Sequence, residues 1–92
     1  MTTYELKPEI QKRVDLVQAK PFVLSRIWDW DSEEDTWKEE VIARSKTLNG
    51  IKAFCRLNKI PTRTGEYRIE KETVEFIDGW YPTYDTEFIE EL

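Results

Sequence analysis

Residues 22 to 45 read Phe22-Val23-Leu24-Ser25-Arg26-Ile27-Trp28-Asp29-Trp30-Asp31-Ser32-Glu33-Glu34-Asp35-Thr36-Trp37-Lys38-Glu39-Glu40-Val41-Ile42-Ala43-Arg44-Ser45. From Phe22 to Trp30 the run is rich in β-branched and aromatic residues, and Phe22, Leu24, Trp28 and Trp30 share one parity, which predicts a strand. The acidic stretch 31 to 35 is the loop, and residues 36 to 45 return as a strand with Trp37, Val41 and Ala43 on one face. A helix over residues 33 to 46 is the competing reading. Ser32 followed three residues later by Asp35 imitates a capping box, acids crowd the first turn, and Arg44 and Lys46 come near the end. The apolar residues from 37 to 45 make only a thin helical stripe, however, and their alternation after a strand favours a hairpin.

On the N-terminal side, Pro8 suits the first position of a helix, and Ile10, Val14 and Val17 follow at helical spacing with Leu6 behind them. The spacing predicts a short amphipathic helix over 8 to 19, ended by Pro21. On the C-terminal side, Thr47 is the expected N-cap of a central helix over 48 to 60. Ile51, Ala53, Phe54, Leu57 and Ile60 share its apolar face, and Lys52, Arg56 and Lys59 lie opposite. Residues 61 to 65 are turn chemistry. Tyr67 and Ile69 point inward from a strand beginning at Glu66, and residues 66 to 77 form either a second hairpin or one bent strand, closed by Asp78-Gly79. In the tail from 81 to 92, Tyr84, Phe88, Ile89 and Leu92 fall at helical intervals, which suggests a last short helix. The expected class is α+β in a single small domain over 1 to 92: an N-terminal helix, an antiparallel sheet of three or four strands, and a central helix packed on it.

Charge is sorted along the chain. Residues 44 to 71 carry eight Lys and Arg against Glu66 and Glu70, whereas residues 1 to 43 carry six bases against ten acids and residues 72 to 92 carry seven acids and no base. The net charge of -5 conceals this polarity. Twelve aromatics, Trp28, Trp30, Trp37 and Trp80 among them, exclude disorder despite 36% charged residues, and are expected to supply much of the core at about 150–250 Å² of burial each.

The chain has no histidine, which removes the usual near-neutral general base, the Ser-His and Cys-His nucleophiles and histidine zinc sites. Cys55 is the only cysteine, so no intramolecular disulfide forms, and without a histidine to activate it the thiol reads as a small apolar residue. No cofactor or metal is expected, and no apolar run approaches the roughly 20 residues of a membrane span. The first residues, 1 to 5, lack a signal-peptide pattern, so a soluble, cytoplasmic protein that does not engage membranes is the expectation.

Three candidate surfaces follow. Lys46, Lys52, Arg56, Lys59, Arg63 and Arg68 form an expected patch for an anionic partner. Asp29, Asp31, Glu33, Glu34 and Asp35 form an acidic docking surface, with the capacity to imitate nucleic-acid phosphates. Their spacing resembles a calcium loop only loosely, because Glu34 stands where such a loop needs glycine. Trp80 and Tyr81, between Gly79 and Pro82, are the expected aromatic anchor of a protein interface. Core packing is the default expectation for most of the aromatics, with a cross-strand pair across the acidic loop as the alternative for Trp30 and Trp37, which flank it. The functional expectation is non-catalytic docking on a protein or ribonucleoprotein partner, in the style of small accessory and inhibitor proteins of bacterial viruses and mobile elements. The alternatives are a nucleic-acid-binding module using the basic face of the central helix and a small structural subunit of an assembly.

Overall fold

The alternation over 22 to 45 folds into a hairpin. In the computed structural model, which describes residues 6 to 92, β1 (Phe22–Asp31) and β2 (Thr36–Ser45) pair antiparallel, with Phe22 opposite Ser45 and Trp30 opposite Trp37. The register slips by one residue at Ile42 and again at Asp29. Asp29 takes a positive φ of 45°, the kind of extra residue that bends and twists a hairpin arm. At the tip, Asp31 Oδ1 accepts the backbone N–H groups of Glu33 (2.9 Å) and Glu34 (3.3 Å), and Asp35 turns the chain at φ 54°. Asp tolerates the left-handed region because its short side chain bonds locally. Asp31 and Asp35 therefore shape the turn itself, and Asp29 the arm leading to it.

The helices follow from their caps. The first, α1 (Pro8–Ala19), has proline at its start and buries Val14 and Val17. The second, α2 (Leu48–Leu57), is capped by Thr47, whose Oγ1 accepts from the N–H of Gly50 at 3.0 Å. A methyl group at Gly50 would meet the Ser45 hydroxyl, which would have to turn away to admit it. The helix stops three residues short of the expected Ile60. Lys59 adopts φ 52°, and the Ile60 N–H folds back to the Cys55 carbonyl at 3.0 Å, a left-handed helix end.

Residues 66 to 77 resolve into one strand, β3 (Tyr67–Ile77), and the tail is a strand as well, β4 (Tyr81–Glu91). The short C-terminal helix suggested by the sequence is absent. A tail of Tyr, Thr, Phe and Ile suits a pleated surface, and β4 pairs with β3 from Ile77–Tyr81 to Arg68–Glu91. Asp78 (φ 54°) and Gly79 (φ 79°) both take positive φ in the connecting turn, as a tight hairpin requires, and the Trp80 N–H donates to the Ile77 carbonyl at 3.2 Å.

The sheet order is β2-β1-β3-β4, antiparallel throughout. β1 and β3 share only five residue pairs, Phe22–Lys71 to Arg26–Tyr67. Beyond that overlap the two hairpins run out in opposite directions, so the molecule is long and flat, 53 × 35 × 19 Å. α2 packs on one face, where Leu24, Ile51 and Ile69 are fully buried and Phe22, Ala43, Phe54, Ile89 and Leu92 surround them. α1 lies on the other face against β3, with Arg13 reaching Glu72.

The core is aliphatic, contrary to the expectation from composition. The buried hydrophobic residues are Val14, Val17, Val23, Leu24, Ile51 and Ile69, whereas Trp30, Trp37, Trp80 and Tyr81 are 49%, 47%, 38% and 55% exposed. The physical reason is the geometry of the arms. α2 packs on the shared part of the sheet, and only the Ile10 and Arg13 side of α1 reaches the Trp80–Tyr81 end, so the rings at the two ends stay partly exposed. Residues 1 to 5, and with them the expectation about a signal peptide, lie outside the described residues. No helix among those described is long and apolar enough to cross a membrane.

Candidate interaction surfaces

The basic block of the sequence divides between the two faces of the sheet. Lys46 stands between β2 and α2, Lys52 and Arg56 on the solvent side of α2, and Lys59 and Arg63 in the loop that follows, all exposed. Lys52 pairs with Glu90 at 3.4 Å, a half-exposed contact of the kind that contributes about 0–1 kcal/mol. Lys46, Arg56, Lys59 and Arg63 make no ion pair among the described residues. Arg68 does not join this patch. It points to the α1 side, where Nη2 donates to Glu39 Oε2 (3.2 Å) and Nε lies 2.7 Å from Glu70 Oε1. The alternation already contained this outcome: Tyr67 and Ile69 face the core under α2, so Arg68 between them faces away.

The acidic set stays together at the end of the β1–β2 hairpin. Asp29, Asp31 and Glu33 line one shallow hollow with Trp30 and Lys38, while Glu34 and Asp35 complete the exposed turn. No group of three or more acidic or cysteine side chains among the described residues converges as a metal ion would require. Trp30 and Trp37 meet edge to face across the strands, centroids 5.2 Å apart, the alternative to core packing at those flanking positions.

The opposite arm carries the second aromatic pair. Trp80 and Tyr81 pack edge to face at 5.9 Å and, with Tyr84, Pro82 and Ile10 of α1, line an apolar groove of about 460 Å³. Arg13 closes one side of it, its guanidinium 5.2 Å from the Tyr84 ring centroid. Ile10, Tyr84 and the partner ring Tyr81 all remain more than a third exposed.

Between the arms, on the α1 side of the sheet, lies a charged cluster that nothing in the sequence reading singled out. Glu72 accepts from Arg13 through one oxygen (2.8 Å) and from Arg44 through the other (2.6 Å), with the Glu72 and Arg44 side chains only 10% exposed. Glu39 and Glu70 share Arg68. Burial pushes the Glu70 carboxyl above its ordinary range, Arg68 pulls it back, and the neighbouring Glu39 carboxylate adds to the rise. The folded protein therefore holds that proton to higher pH than the unfolded chain does, and stability falls as pH rises from about 4.3 through the folded value. Glu70→Gln should consequently gain on the wild type across that interval. Urea midpoints at pH 4 and pH 7 check this: the difference between variant and wild type should widen at pH 7, and a constant difference would contradict it.

Cys55 is partly buried beside the core, and burial followed by the Glu90 charge raises its thiol pKa. Such a thiol is a poor nucleophile. No protein family, no curated protein and no solved structure matches this chain. The functional reading therefore rests on the surfaces themselves.

Proposed function

We propose that this protein acts by non-catalytic docking on a protein or ribonucleoprotein partner, with the Trp80–Tyr81 end of the β3–β4 hairpin as its anchor. The observation that carries this reading is the placement of large aromatic side chains in edge-to-face pairs at both hairpin ends, outside an aliphatic core. Aromatic rings held rigidly at a projecting tip add contact area at low entropic cost, which is why Trp and Tyr dominate interface hot spots. The groove beside Trp80 accepts an apolar side chain, and Arg13 at its edge supplies one charged contact. The acidic turn on the other arm favours approach of a basic surface by long-range attraction, acting on encounter rate more than on final affinity. The style of accessory or inhibitor protein belongs to this same proposal, since a small body with two projecting arms offers contact surface and, lacking histidine, little chemistry.

One observation favours the alternative of nucleic-acid binding: Lys46, Arg56, Lys59 and Arg63 are exposed on the α2 side with no ion pair among the described residues. The two readings separate in one experiment. Tagged wild type, Trp80→Ala/Tyr81→Ala and Lys52→Glu/Arg56→Glu/Lys59→Glu are used to capture partners from native lysate at low and high salt. The docking reading predicts a discrete protein partner that the aromatic double variant loses by tenfold or more, equivalent to about 1.4 kcal/mol, and the charge-reversed triple variant retains. Loss only with the triple variant, steeply salt-dependent and removed by nuclease, would replace it with the nucleic-acid reading.

A further inference from the structure

We propose that the cavity on the α1 side of the sheet binds a small zwitterion of the amino-acid type, its carboxylate facing Arg44 and Ser25 and its ammonium facing Glu39 and Glu70. The cavity measures about 340 Å³, room for a single small metabolite, and shares only Arg13 with the aromatic groove. Two buried donors in its lining lack a hydrogen-bond partner: the hydroxyl of Ser25, a residue 1% exposed, and Nη1 of Arg44. Buried polar atoms are paired in the great majority of cases, so two unpaired ones on residues lining one cavity point to an acceptor that belongs there. A guanidinium and a hydroxyl together suit a carboxylate oxygen.

The two ion networks around the cavity have opposite charge. Arg13, Glu72 and Arg44 form a triad with one net positive charge, since both oxygens of the single carboxylate are taken by the two guanidinium groups. Glu39, Arg68 and Glu70 form a second triad with one net negative charge when both carboxylates are ionised. A simple anion meets the first favourably and is repelled by the second, and a simple cation meets the reverse. A ligand carrying both charges satisfies both and leaves the neutral site neutral. Its ammonium also stabilises the ionised form of Glu70, which burial otherwise disfavours. Both unpaired atoms are buried, so the ligand reaches them only when a lining side chain shifts, and Arg13 and Glu39 are half-exposed charged members of that lining.

The test is a titration of the whole protein with glycine, sodium acetate and methylammonium chloride at constant ionic strength, followed by amide and arginine Nε resonances. Saturable shifts at Ser25, Arg44 and Glu70 with glycine are expected, with acetate and methylammonium each at least about tenfold weaker, because each forfeits one charged contact. Ser25→Ala should weaken glycine by about tenfold while melting no earlier than wild type, since it deletes a hydroxyl with no partner in the fold. Arg44→Lys, which keeps a cation for Glu72 but removes Nη1, should weaken glycine likewise and serves if the first variant does not fold. Repetition with the full set of α-amino acids identifies the side chain that best fills the remaining volume. Acetate binding as tightly as glycine, shifts that grow linearly without saturation, or an unchanged titration in both folded variants would each overturn the proposal.

Discussion

Glu72→Ala is expected to destabilise the protein by about 3–5 kcal/mol, the loss seen when one partner of a buried ion pair is removed and the other is left charged and enclosed. The stranded charge is Arg44, whose side chain is 10% exposed and whose Nη2 loses its 2.6 Å contact, while its Nη1 has no partner to begin with. Arg13, half exposed, turns to solvent at little cost. Against a total stability of about 5–15 kcal/mol for a domain of this kind, that loss removes about a fifth of the total or more. Urea unfolding followed by far-ultraviolet circular dichroism measures it. The double variant Arg44→Met/Glu72→Met should recover most of the deficit, because it removes both charges and fills the space. A Glu72→Ala midpoint close to that of wild type would mean that Arg44 is hydrated.

Leu24→Ala is expected to cost about 2–5 kcal/mol, and Trp30→Ala well under half as much. Leu24 is 0% exposed and packs with Ile51 of α2 and Ile69 of β3, so its loss opens a cavity where both hairpins and α2 meet. Trp30 is larger but half exposed, and its chief contact is the edge-to-face partner Trp37, a pair contributing about 0.5–1.5 kcal/mol. The usual ranking of residue size is inverted here. Matched urea titrations decide the matter, and a Trp30→Ala loss equal to that of Leu24→Ala would show the arm to be part of the core.

That inversion marks the limit of what the sequence discloses. The hairpin over 22 to 45, the proline-started α1 and the Thr47-capped α2 were legible because each depends on local chemistry: alternation, a fixed φ, a side-chain cap. The tail misled because a bulge imitates a helix. Pro82, Tyr84 and Thr86 alternate along β4 toward the α1 side, but the register slips at Ile89, which turns to the α2 side with Leu92. Tyr84, Phe88, Ile89 and Leu92 thereby acquire helical spacing without a helix. The fate of the aromatics was illegible for a different reason. Only the five-pair overlap of β1 and β3 sets how far the arms project, and that register is a property of the assembled sheet. The same assembly created the ion cluster, in which Arg13, Glu39, Arg44 and Glu72 come from three separate elements. No local pattern announces such a meeting.

The tryptophans held outside the core at the ends of the flat sheet can be probed in the isolated protein. Trp30, Trp37 and Trp80, three of the four tryptophans, are more than a third exposed. Acrylamide quenching of tryptophan fluorescence in the native protein should therefore approach the level reached in urea, and addition of the captured partner should reduce it, with the reduction lost in the Trp80→Ala/Tyr81→Ala variant. Native fluorescence that is shifted to the blue and barely quenched would contradict the account, because it would place those rings in the interior.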